Sequence, residues 1–152
     1  EGLKVCIVGD IAHSRVARSN IFGLKSMGAI VSICGPATMI PLGIESLGVK
    51  IFTNIDEAIA KNDVLNVLRI QLERNAGTRI PSLREYHKYF GITTERIEKF
   101  NKEIVILHPG PINRGVELSS EVADGPYQVI LDQVTNGVAI RMAVLYLLGT
   151  MH

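Results

Sequence analysis

The feature that most constrains this chain is an alternation that runs its whole length. Short apolar runs of β type, most closed by glycine or proline, change places with stretches of helical spacing. Residues 3–8 (LKVCIV) end at Gly9, the pattern of a strand covered on both faces. Residues 15–27 carry helical spacing, with Val16, Ile21 or Phe22, and Leu24 or Met27 on the buried side and Gly28 closing. Residues 29–34 read as a second strand stopped by Gly35-Pro36, and residues 37–47 as a weak helical stretch interrupted by Pro41. Residues 49–52 are a third strand. Thr53 or Asn54 caps the next helix, whose Asp56 and Glu57 suit the positive end of its dipole.

The alternation continues with a fourth strand over residues 64–68 and a polar loop over 71–80. A short helix covers residues 82–89. Thr93 or Thr94 caps another that runs to about residue 102, with Ile97 and Phe100 facing inward. Residues 103–107 form the fifth strand, and a Pro- and Gly-bearing loop follows over 108–118. Two helices close the chain, one from near Pro126 through Val134 and one from Asn136 or Gly137 to Leu148. Strands separated by helices require right-handed crossovers and a parallel sheet. The expected fold is α/β, a doubly wound, Rossmann-like sheet of five parallel strands in the order 3-2-1-4-5 with helices on both faces. Ligands in such a sheet sit beyond the C-terminal ends of the strands, at the switch point between strands 1 and 4.

A chain of 152 residues suits one domain. Sixteen basic against fifteen acidic residues give a formal charge of +1, which excludes a nucleic-acid binder relying on a basic face. No apolar stretch reaches the roughly 18 residues of a membrane span, and the short run after Glu1 is no signal peptide. The expected location is cytoplasmic. Cys6 and Cys34 lie in apolar runs, away from any metal-ligand spacing, and are expected as buried thiols. The chain starts without Met, and is expected to be a fragment.

Three unusual segments follow strands 1, 4 and 5, and the topology brings them to one sheet edge. They are GDIAHSRVARS at residues 9–19, RIQLER at 69–74 and HPGPINRGVE at 108–117. The first stands where a dinucleotide fold carries G-x-G-x-x-G, but only Gly9 fits, so no nicotinamide or flavin cofactor is expected. It offers Arg15 instead, at a helix N-terminus that favours an anion; a solvated helix start is the plainer alternative. His13 reads more readily as a hydrogen-bonded structural residue than as a catalyst, and Arg18 as a surface or subunit contact. Arg69 ends an apolar strand and needs a carboxylate partner, from the protein or from a ligand. Gln71 points to the same side two residues on, whereas Glu73 and Arg74 can equally well pair with each other. Two planar guanidinium groups, Arg15 and Arg69, suit a small dicarboxylate. The Pro109–Pro111 segment either displays carbonyl oxygens to a ligand NH2 or is a stiff connector.

At these segments the sequence resembles the aspartate/ornithine carbamoyltransferase family. GDIAHSRVARS is similar to the first motif of that family's second domain, RIQLER to its R-x-Q-x-E-R stretch and HPGPINRGVE to its H-P-x-P loop. Residues 133–145 (QVTNGVAIRMAVL) resemble its final helical motif. The resemblance implies transfer of a carbamoyl group from carbamoyl phosphate to L-aspartate in pyrimidine biosynthesis. It implies that Arg15, Arg69 and Gln71 hold the aspartate carboxylates, and that Gly110 and Pro111 contact carbamoyl phosphate, across a Gly110–Pro111 bond that is a candidate for cis. Arg141 would have a structural, domain-bridging role, and residues 71–80 would close over substrate. Pro109 stands where ornithine enzymes carry the Cys of H-C-L-P, which favours aspartate. The family's S-T-R-T-R phosphate motif and its neighbouring-subunit lysine are not in this sequence. The resemblance therefore implies that residues 1–152 are the aspartate-binding domain, inactive or nearly so without an N-terminal carbamoyl-phosphate domain, in a homotrimer-based enzyme. Two alternatives stay open: the same chemistry on another amino acid such as ornithine, or a non-catalytic binding module on this fold.

Overall fold

The computed structural model describes residues 1–70 and 82–150. Five parallel strands form one sheet: β1 (Lys4–Val8), β2 (Ile30–Cys34), β3 (Lys50–Phe52), β4 (Val64–Val67) and β5 (Val105–Leu107). Their order is β3-β2-β1-β4-β5, the order expected as the commonest arrangement of five such strands. In β1, successive side chains go to opposite faces, which splits the core in two. Cys6 and Val8 join Phe52, Ile55, Ile59, Leu65, Val67 and Ile97 on one face. Ile7 joins Ala17, Ile21, Val31 and Ile33 on the other.

The helices that cover these faces are α1 (Arg15–Ser26), α2 (Ile55–Lys61), α3 (Leu83–Phe90), α4 (Thr94–Glu98), α5 (Ser120–Ala123) and α6 (Ile130–Gly149). Ser14, Asn54, Ser82, Thr93 and Ser119 cap the first five, each side-chain oxygen accepting a first-turn N–H that has no helical partner. Both cysteines are buried, free thiols in the same core cluster. Burial pushes the Cys6 thiol up to about 12 and raises Cys34 as well, so neither is a nucleophile at neutral pH.

Several local expectations need correction. The buried stripe of α1 is Ala17, Ile21 and, in part, Leu24, spaced i, i+4, i+7; Val16, Phe22 and Met27 are exposed. The small Ala17 lets the helix approach the sheet, and a scan for large apolar residues passes over it. Residues 37–47 form two separate 3₁₀ turns, Ala37–Met39 and Ile44–Leu47, because Pro41 offers no N–H and Gly43 takes a left-handed conformation between them. α4 stops at Glu98, and a turn through Asn101 at φ 42° leads out of it. The short α5 was not anticipated. The two expected closing helices are a single helix, α6, which passes through Asn136 and Gly137 without a break. A mid-helix Gly costs only about 1 kcal/mol, and the Ala-, Met- and Leu-rich sequence after it sustains the ladder.

Candidate functional site

β1, β4 and β5 are neighbours, so the segments after them converge. Beyond their C-terminal ends lies a cleft of about 210 Å³ lined by Asp10, His13, Ser14, Val16, Leu68, Arg69, Pro109 and Gly110. Each segment contributes, and the volume suits a small metabolite better than a drug-sized ligand of roughly 300 Å³ or more.

The wall after β1 depends on Gly9. Its φ of 125° disfavours any side chain, and a Cβ there would lie 3.2 Å from the Leu68 Cβ. The tight passage brings the ends of β1 and β4 together and turns Asp10 inward. The buried Asp10 carboxylate accepts from the His13 backbone N–H at 3.2 Å and meets His13 Nδ1 at 2.8 and 3.1 Å. Nδ1 therefore carries the proton, and the pair fixes the imidazole at the cleft. Ser14 next accepts from Ala17 N–H, so the N-terminus of the twelve-residue α1 opens at the cleft and favours an anion there.

The opposite walls are the end of β4, with half-buried Arg69, and the loop after β5. The Gly110–Pro111 peptide is cis, and Gly110 is left-handed at φ 63°. Beneath this loop, Glu117 is buried and accepts three donors: His108 Nε2–H at 3.2 Å, Asn113 N–H at 2.7 Å and the Asn113 amide at 3.3 Å. The same Asn113 amide donates to the Ile70 carbonyl at 2.9 Å, which ties the loop to the β4 wall. Gln133 of α6 accepts from His108 N–H at 3.0 Å. Tyr86 of α3 lies below, fully buried, with its hydroxyl close to Gly9 and no hydrogen-bond partner among the described residues. Burial, then the nearby Cys34, Glu117 and Asp10, push that phenol above its ordinary value, so it stays neutral.

Of the anticipated site residues, Arg69 and Gly110 line the cleft together. Arg15 is exposed on the first turn of α1, next to the lining residue Ser14, and Pro111 is exposed next to Gly110. Neither is part of the lining. Gln71, with the rest of the 71–80 loop, lies outside the described residues. His13 lies in the lining through its bond to Asp10. Asp10 and Asn113 were missed, although an acidic residue directly after a strand-ending glycine is a signal for the first. Glu117 was marked only as the acidic residue that closes the HPGPINRGVE motif, and its part here, like that of Asn113, comes from which donors the fold brings to one carboxylate.

The family model described as "Aspartate/ornithine carbamoyltransferase, Asp/Orn binding domain" matches residues 1–148. The chain is 60% identical to an aspartate carbamoyltransferase catalytic subunit of Gemmatimonas aurantiaca over 97% of its own length and 46% of that protein. It is 62% identical to a catalytic subunit of the same name from Cytophaga hutchinsonii, over 97% of its length and 48% of that protein. Among solved structures, the catalytic subunit of M. jannaschii aspartate transcarbamoylase superimposes with a TM-score of 0.73 at 28% identity, covering 95% of this chain and 49% of that one. The chain thus spans about half the length of the curated relatives it matches.

Proposed function

The chain belongs to the aspartate/ornithine carbamoyltransferase family, through its Asp/Orn binding domain, and from that premise we propose that it is the aspartate-binding half of an aspartate carbamoyltransferase. The observation that carries this reading is the cleft at the switch point. Its polar lining includes a helix N-terminus and Arg69, groups suited to carboxylates, and it contains the loop of Pro109 and Gly110. Identity of about 60% to subunits of that name, with proline rather than cysteine at position 109, supports aspartate over ornithine.

In this reading Arg15, Arg69 and Gln71 bind the two carboxylates of L-aspartate, and Gly110 and Pro111 contact carbamoyl phosphate. The aspartate amine attacks the carbamoyl carbon, the bond from that carbon to the phosphate oxygen breaks, and phosphate leaves as the amine loses its proton. Positioning two substrates and stabilising charge on the departing phosphate account for most of such a rate enhancement. The second half of the enzyme, an N-terminal carbamoyl-phosphate domain, supplies the phosphate-gripping groups, and residues 1–152 alone have little or no activity. The whole enzyme is built on a homotrimer and works in the cytoplasm.

The test is to join this chain to a carbamoyl-phosphate domain and assay carbamoyl transfer. Carbamoyl aspartate should form from L-aspartate, and Arg69→Ala should lower kcat/KM by about 10- to 100-fold or more, the loss of charge-assisted hydrogen bonds. Faster transfer to L-ornithine, or full activity in Arg69→Ala, would sink the assignment.

A further inference from the structure

His108 is fully buried and does not line the cleft, yet both of its ring nitrogens are committed. Its Nδ1 lies 2.9 Å from the backbone nitrogen of Gly110, and an N–H can only donate. Nδ1 must therefore be the unprotonated acceptor. The remaining proton sits on Nε2 and is donated to Glu117. An ionised carboxylate only accepts, and Glu117 already takes two bonds from Asn113, so it fixes this tautomer from below. The chain of bonds runs from Glu117 through the imidazole to the one residue of the Pro109–Pro111 segment whose N–H is available in a left-handed turn.

We infer that His108 is a positioning residue for carbamoyl-phosphate binding: its Nδ1, held as an acceptor by Glu117, fixes the Gly110 backbone that forms one wall of the cleft. Asn113 extends the device to the other wall through the Ile70 carbonyl, one residue from Arg69. The inference rests on the proposed carbamoyltransferase reading for its ligand, but not for its geometry. A purely structural histidine would tolerate any substitution that keeps the fold. A positioning one needs an acceptor at Nδ1 specifically.

Two substitutions separate these roles in the full-length enzyme. His108→Asn keeps an acceptor oxygen where Nδ1 stands, while His108→Gln keeps a donor where Nε2 stands. Gly110 amide exchange should stay near wild type in His108→Asn and rise about tenfold in His108→Gln. KM for carbamoyl phosphate should follow, within about threefold for Asn and raised about tenfold for Gln, as the loss of one hydrogen bond implies. Equal exchange in the two variants, a KM that ignores the exchange difference, or ¹⁵N chemical shifts showing a protonated Nδ1 would each overturn the proposal. A wild-type enzyme that makes no carbamoyl aspartate overturns the functional reading instead, and the exchange comparison still decides the role of His108.

Discussion

The loop after β5 and the helix that closes the chain are opposites in an instructive way. Residues 108–118 have almost no regular backbone structure, yet His108, Val116, Glu117 and Leu118 are buried and the polar ones are hydrogen-bonded. α6 is an unbroken helix of 20 residues, yet of its large apolar side chains only Ile130 is buried. Val138, Ile140, Met142, Leu145, Leu147 and Leu148 are all more than half exposed. No helix among the described residues is long and apolar enough to cross a membrane. Backbone regularity is thus no measure of how firmly a segment is embedded. The loop is held by side-chain bonds and core contacts, the helix chiefly by its own ladder and its first turn.

The sharpest test of this contrast exchanges the same side chain in both regions. Leu118→Ala removes a fully buried residue of the main core and should cost about 2–5 kcal/mol, whereas Leu145→Ala on exposed α6 should change stability by less than about 0.5 kcal/mol. Urea unfolding of the two variants decides it, and equal losses would mean that α6 is as embedded as the loop. Next in size is Asn113→Ala, which leaves the Ile70 carbonyl and one Glu117 oxygen short of a donor. A destabilisation of about 1–2 kcal/mol is expected in the same assay, and none would show that the two cleft walls are held independently.

The smallest effect lies just before β4, outside both regions. The Lys102 side chain and the Lys4 backbone N–H hold the Asp63 carboxyl below the usual carboxylate range. With the folded-state value depressed, the stabilisation is present above the unfolded carboxylate value near 4 and is lost as pH falls through the folded one. Because both partners are substantially solvent-accessible, it should amount to less than about 1 kcal/mol. Melting curves of wild type and Asp63→Asn should therefore converge as pH falls below about 4. Curves that stay parallel would show that the pair contributes nothing.

Strand order, parallel direction and the edge that holds the cleft were legible in the sequence, because buried parallel strands are largely apolar, their crossovers mostly carry helices, and 3-2-1-4-5 is the commonest arrangement of five such strands. Arg69 was legible as a charged residue at the end of an apolar strand, whereas Gly110 was marked by the family resemblance of its loop; both line the cleft. The continuity of α6 was not, since Asn136-Gly137 looks like a stop until tertiary context leaves the helix free to run on. Ala17 as the contact residue of α1 was hidden by its size. The sequence by itself determined that three polar segments meet at this edge, since periodicity and turn residues are local properties. Only the tertiary structure decided what supports that site. Asp10 on His13, and His108 and Asn113 on Glu117, are pairings of donors and acceptors, and local periodicity does not specify which of them will meet.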